Sequence, residues 1–149
     1  MKRIAVLGLL LAAGCSSAYD RAWEEAGHPA HASSAILVEG RWSGLWHSDV
    51  TGHEGALRCM LTNTPNSGAN AWYHATYAWW IFPFSFEYVL PMTIEHSVDG
   101  GARVRGSAEL GCWVSSGLYE YEGRFDGDTF VASYNSGFDR GVFRLKRVQ

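Results

Sequence analysis

Residues 81–96 read IFPFSFEYVLPMTIEH, and their spacing decides the fold. Phe82, Phe84, Phe86, Tyr88 and Leu90 fall on one side, while Pro83, Ser85, Glu87 and Pro91 fall on the other. Large apolar residues at strict alternation make a strand, because a helix would scatter them round its circumference. Two prolines on the opposite side point to a sheet edge, a bulge or a barrel corner. A membrane span through residues 71–92 is argued against by His74, Pro83 and Glu87.

The same period of two continues in both directions. Upstream, 37–48, 53–64 and 71–80 alternate, with Trp42, Gly44 and Trp46 on one face, then Leu57, Cys59 and Leu61, then Tyr73, Ala75, Tyr77 and Trp79. Downstream, 103–113, 118–125, 129–134 and 141–148 do the same, with Val104, Gly106, Ala108 and Leu110, then Tyr119, Tyr121 and Phe125, then Phe130, Ala132 and Tyr134, then Phe143 and Leu145. Turn chemistry separates them: NTPNSGAN, the Asp99-Gly100 pair, Asp126-Gly127-Asp128 and Asn135-Ser136-Gly137. The chain is rich in glycine (17) and in Trp, Tyr and Phe (seven each), a composition of short strands and tight turns. Eight consecutive strands, each with an apolar and a wetter face and none joined by a crossover helix, predict an all-β, eight-stranded antiparallel up-and-down barrel. Closure would remove the exposed sheet edges. A two-sheet sandwich is the alternative.

The N-terminus has another character. Lys2 and Arg3 precede an uncharged run from Ile4 to Gly14, too short for the roughly 20 residues that cross a bilayer as a helix. Leu11-Ala12-Ala13-Gly14-Cys15 resembles the lipobox of bacterial lipoproteins, with Ala12 where Leu is usual. The resemblance implies cleavage before Cys15, acylation of its thiol and membrane attachment through those acyl chains. Ser16, standing where Asp would retain such a protein at the inner membrane, implies an outer-membrane address in a Gram-negative envelope. The domains expected are a signal over 1–14, the lipidated Cys15 with a tether over 15–36, and the barrel over 37–149. Within the tether, Asp20–Ala26 carries a short helical signal that Gly27 and Pro29 stop.

Losing Lys2 and Arg3 moves the formal charge from −3 to −5, which argues against nucleic acid as a partner. No protein partner is legible. With Cys15 acylated, Cys59 and Cys112 remain as a candidate disulfide, which would close a loop of about 54 residues and add roughly 4 kcal/mol. In a simple meander they stand three strand spacings apart, beyond a disulfide's reach, so bonded and free states both stay open.

An eight-stranded barrel preceded by a short helical segment resembles the calycin group, the lipocalins and avidin-like barrels. Gly40-Arg41-Trp42 matches the Gly-x-Trp those families place in the first strand. Lipocalins also lay a basic residue from the end of the barrel across that Trp, a part open here to Arg144 or Arg147. The Thr-Asp-Tyr turn of the middle lipocalin motif is missing. The resemblance implies a barrel that holds one small ligand.

On the residues alone, Trp42, Trp46, Tyr77, Phe84, Phe86, Tyr119, Tyr121 and Tyr134 form an inward aromatic set. Gly44, Gly106 and Ala132 are expected to leave space among them for a small apolar or aromatic ligand. The competing reading is that the aromatics pack one another completely. His47 and His53 flank a turn with Asp49 and Glu54, but no metal pattern is complete and no metal or cofactor is assigned. No nucleophile elbow occurs, and Glu87 and Glu95 would serve as acid or base only if buried, so no catalytic residue is assigned. The expectation is a lipid-anchored binding protein. A filled-barrel interaction lipoprotein and a small barrel enzyme are the alternatives.

Overall fold

The computed structural model describes residues 17–27, 38–79, 82–112 and 115–149. The signal expected over 1–14 and Cys15 lie outside the described residues, as does the side chain of Cys112. After helix α1 (Ala18–Ala26) come β1 (Gly40–Ser48), β2 (Glu54–Thr64), β3 (Gly68–Trp79), β4 (Phe82–His96), β5 (Ala102–Cys112), β6 (Ser115–Asp126), β7 (Thr129–Asn135) and β8 (Arg140–Arg147). Each strand pairs antiparallel with the next, and β8 pairs with β1, closing the barrel in chain order. The sandwich alternative falls. Among the described residues no helix is long and apolar enough to cross a membrane.

Register places the expected faces inside. Trp42, Cys59, Tyr73 and Tyr88 lie opposite one another across β1–β4, and Gly106, Tyr121 and Tyr134 continue across β5–β7. The Asp99-Gly100 turn forms as its chemistry demands, with Gly100 at φ +84° and Ser97 N–H donating to the Gly101 carbonyl.

Where β1–β2, β3–β4, β5–β6 and β7–β8 connect is called here the upper end. The lower end is plugged by aromatics. Phe125 and Phe130 stack with centroids 4.0 Å apart, and Trp42 meets Phe125 edge-on at 4.9 Å. Trp42 is fully buried, and its indole N–H donates to the Val38 carbonyl at 2.9 Å. Over its outer side lies the Arg147 guanidinium, 4.4 Å from the ring, whose Nη1 donates to the Glu39 carbonyl at 2.7 Å. Arg147 thus takes the part expected of Arg147 or Arg144, because Leu145 faces inward and puts Arg144 on the outer wall.

The upper end is splayed. β4 pairs with β5 only from Met92–Gly106 to His96–Ala102. Above that, 82–91 pairs with β3 alone and 107–112 with β6 alone. Two hairpin arms result. The β3–β4 arm outruns β2, whose ladder with β3 ends at Leu57–Ala75, and the β5–β6 arm outruns β7, whose ladder with β6 ends at Glu120–Asn135. The prolines explain the gap. Ile94 N–H donates to the Ser67 carbonyl on the β3 side, so even-numbered β4 residues direct their backbone toward β3 and odd-numbered ones toward β5. Pro83 and Pro91 are odd, so the donors they lack face β5, and Pro91 stands just where that ladder stops.

α1 is docked, which corrects the tether expected over 15–36 for the stretch 18–26. Ser17 caps it, its hydroxyl accepting from Asp20 N–H at 3.1 Å. Tyr19 and Trp23 share a face and pack with Met60 and Trp72 of the outer wall. Burying side chains of this size stabilises by about 1.5–3 kcal/mol each, ample to hold a nine-residue helix that would be marginal alone. Arg58 pairs with Asp20 at 2.8 Å, and its guanidinium lies 5.1 Å from the Tyr19 ring. Tyr19 and Trp23 have their partners on β2 and β3, about forty to fifty residues away in sequence.

Candidate functional site

The arms frame an aromatic cleft at the upper end. Its β3–β4 wall carries Tyr77, Phe84, Phe86 and Tyr88 as two stacked pairs, Tyr77 on Phe84 at 5.6 Å and 25° and Phe86 on Tyr88 at 5.9 Å and 18°, with Tyr77 edge-on to Phe86 at 6.3 Å and 66°. Trp46 meets Tyr77 edge-on at 6.3 Å, with its indole N–H donating to the Thr76 carbonyl. Ala108 and Leu110, partly buried against the core, stand on the β5–β6 side. Phe84 and Phe86 point inward by register yet are 37% and 39% exposed, because the strand that would cover them is missing from the splay.

Beneath the cleft the barrel is full. Tyr121 and Tyr134 contact Phe143 at 5.9 and 5.2 Å, and Tyr73 contacts it at 5.7 Å. Burial pushes the phenols of Tyr73, Tyr88 and Tyr121 well above their ordinary value, so all stay neutral donors. Burial likewise raises the Cys59 thiol, which is free, protonated and unreactive. β2 and β5, which carry Cys59 and Cys112, are not neighbours in the sheet.

Tyr134 is tied to the rim instead. Its hydroxyl donates to Asp139 Oδ2 at 3.0 Å, and buried Ser48 donates to Oδ1 at 2.6 Å. Burial first, then the Asp139 charge, raises the Tyr134 phenol. This cluster joins the β1–β2 and β7–β8 turns.

The eight aromatics expected to line one cavity therefore divide. Trp42, Tyr119, Tyr121 and Tyr134 are core, each no more than 6% exposed. Trp46, Tyr77, Phe84 and Phe86 line the cleft. The glycines do not make ligand space. A Cβ on Gly44 would strike the Arg144 carbonyl, and one on Gly106 would sit 2.6 Å from the Pro91 carbonyl, so each admits a neighbouring backbone. Ala132 is buried against the core. Two concavities among the described residues, about 520 and 500 Å³, are grooves on the outer wall, beside Arg105, Glu120 and Glu122 and beside His47, Glu54 and Arg144. Sequence reasoning left Tyr88 out of the site although it shares the alternation with Phe86. It had no means of seeing Ser48, Asp139 and Tyr134 converge, since nothing in their spacing marks that meeting.

Other groups disperse. Glu87 and Glu95 are exposed on the outer wall. His47 Nε2 lies 3.8 Å from Asp49 Oδ1, and among the described residues no three His, Cys, Asp or Glu side chains gather on one point. No family model, curated protein or solved structure matches the chain.

Proposed function

We propose that this protein is an acyl-anchored envelope lipoprotein that captures a small apolar or aromatic molecule in the cleft between its arms. The observation that carries the binding reading is the exposure of Phe84 and Phe86 on an inward face, backed by stacked Tyr77 and Tyr88. A wall of aromatic rings left open to water gains free energy when a flat or chain-like apolar guest displaces that water. The guest sits at the rim, since the barrel beneath is filled. Attachment through Cys15 is supported by the order of charge, apolar run, small residues and cysteine in residues 2–15. No catalytic step or cofactor belongs to this reading.

A fluorescence titration of the full processed chain with N-phenyl-1-naphthylamine tests it. Saturable enhancement is expected, weakened about five-fold or more by Phe86→Ala, which removes one ring of the wall. Binding untouched by Phe86→Ala would place the ligand elsewhere. An interaction scaffold without ligand is the second reading, favoured by the filled middle and lower barrel, and absence of any saturable binding would select it.

A further inference from the structure

We propose that the split between β4 and β5 takes up an extended peptide of alternating basic and apolar residues as an added strand, paired to the free backbone edge of β4. The proposal goes beyond the capture of a small molecule. It stands on the split itself, and the anchor plays no part in it.

Three observations carry it. The first is a backbone edge with nothing to bond. Odd-numbered β4 residues direct their backbone toward β5, and Ser85, Glu87 and Val89 lie above the last rung, Met92–Gly106. Their N–H and C=O groups have no strand partner among the described residues, along about 17 Å of edge. The facing edge is equally bare. Ser97 N–H donates to the Gly101 carbonyl, which sets odd-numbered β5 residues toward β4, so the backbone of Ser107 and Glu109 opens into the split from the other side. Rows of open donors and acceptors are the template on which an extended chain adds as a strand.

The second is the apolar floor. Along a strand in this wall, alternate side chains turn inward and outward. The inward ones of an added strand would meet Phe86, Tyr88, Ala108 and Leu110, which the split leaves partly open. Valine or a larger apolar side chain suits those positions.

The third is charge. The outward side chains would emerge between Glu87 on β4 and Glu109 on β5, both exposed, with exposed Glu120 opposite Ser107 on β6. Among the described residues none of these carboxylates has an ion pair, and nearby Arg105 is tied to Glu122 at 3.2 Å. The groove of about 520 Å³ on the outer wall reaches the root of the split at Thr93 and Ser107 and carries Glu120, which gives room to a long basic side chain. Uncompensated acid on both sides selects Lys or Arg at the outward positions and repels an acidic segment. It also disfavours edge pairing with a second copy of this chain, which would set Glu87 against Glu87.

The test uses the full processed chain and a synthetic heptapeptide, Lys-Val-Lys-Val-Lys-Val-Lys, blocked at both ends. At saturation the N–H groups of Ser85, Glu87 and Val89 are expected to exchange at least about tenfold more slowly, with those of Trp42 to Trp46 unchanged. Replacing the peptide's lysines by glutamates should weaken binding about tenfold or more, and Glu87→Gln with Glu109→Gln, both at exposed positions, about five-fold or more. N-methylation of the peptide backbone, which keeps charge and valines but removes the donors, should abolish binding. Binding that leaves those amides unprotected, or that survives N-methylation, would be attraction of a cation to an acidic surface and would overturn the added strand. Equal binding of the glutamate peptide would overturn the basic partner. No saturable binding at millimolar peptide would overturn both.

Discussion

The two ends of this barrel are built from the same alternation and behave oppositely. At the lower end each inward ring meets another ring, Trp42 has both a carbonyl for its N–H and a guanidinium over its face, and every strand has two neighbours. At the upper end two prolines remove the donors that would join β4 to β5, and the inward rings of Phe84 and Phe86 stay wet. The alternation decides which face a side chain takes. Whether that face becomes core or site depends on whether the neighbouring strand is zipped to it.

If this contrast is real, the ends should respond differently to truncation. Trp42→Ala empties the plug and removes the ring beneath the Arg147 guanidinium, which keeps the Glu39 carbonyl and the Asp128 carboxylate. A loss of about 3–5 kcal/mol in urea unfolding is expected, and a loss under 1 would mean the lower end is not where stability resides. Arg147→Met keeps most of the packing volume but forfeits the cation–π contact and the bond to Glu39. It should cost about 1–2 kcal/mol, read by the same titration. Phe86→Ala removes a ring already more than a third exposed, so a cost of about 1 kcal/mol or less is expected alongside its larger effect on ligand binding. Equal destabilisation by Trp42→Ala and Phe86→Ala would erase the distinction between the ends.

The smallest effect is expected at α1. The hydrogen bond from Arg58, with a second from Ser17, holds the Asp20 carboxyl below its ordinary value of 3.8. A carboxyl with a depressed folded pKa contributes its stabilisation above the unfolded value and loses it as pH falls through the folded one. Docking of α1 should therefore be undiminished above about pH 4 and loosen progressively below it, with Trp23 emission shifting to the red. The pair is well exposed, so the change is modest, and Asp20→Asn should flatten it. Loosening on alkaline titration instead would contradict the ion pair's role.

Much of the fold was legible because strands with one buried face write a period of two into the sequence. All eight strands, the inward faces and the Asp99-Gly100 turn follow from that period and from turn chemistry. The prolines of β4 pointed to an edge, a bulge or a barrel corner without choosing among them. Local pattern does not say which edge remains unpaired, and the division of the eight aromatics into core and cleft depended on that. Gly44 and Gly106 misled for a related reason. A missing side chain looks like space in a sequence, but here the space is taken by the backbone of β8 and of β4. The docking of α1 was hidden because Tyr19 and Trp23 find their partners on β2 and β3, beyond any window of local pattern.

Residue-resolved amide hydrogen exchange tests the splay most directly. The N–H groups of Ser85, Glu87 and Val89, facing the unzipped side of β4, should exchange orders of magnitude faster than those of Trp42 to Trp46 on β1, which has a neighbour on both sides. Protection of Glu87 matching that of Trp42, with cross-strand contacts between 85–89 and 107–112, would show a barrel zipped along its whole height and would leave no cleft.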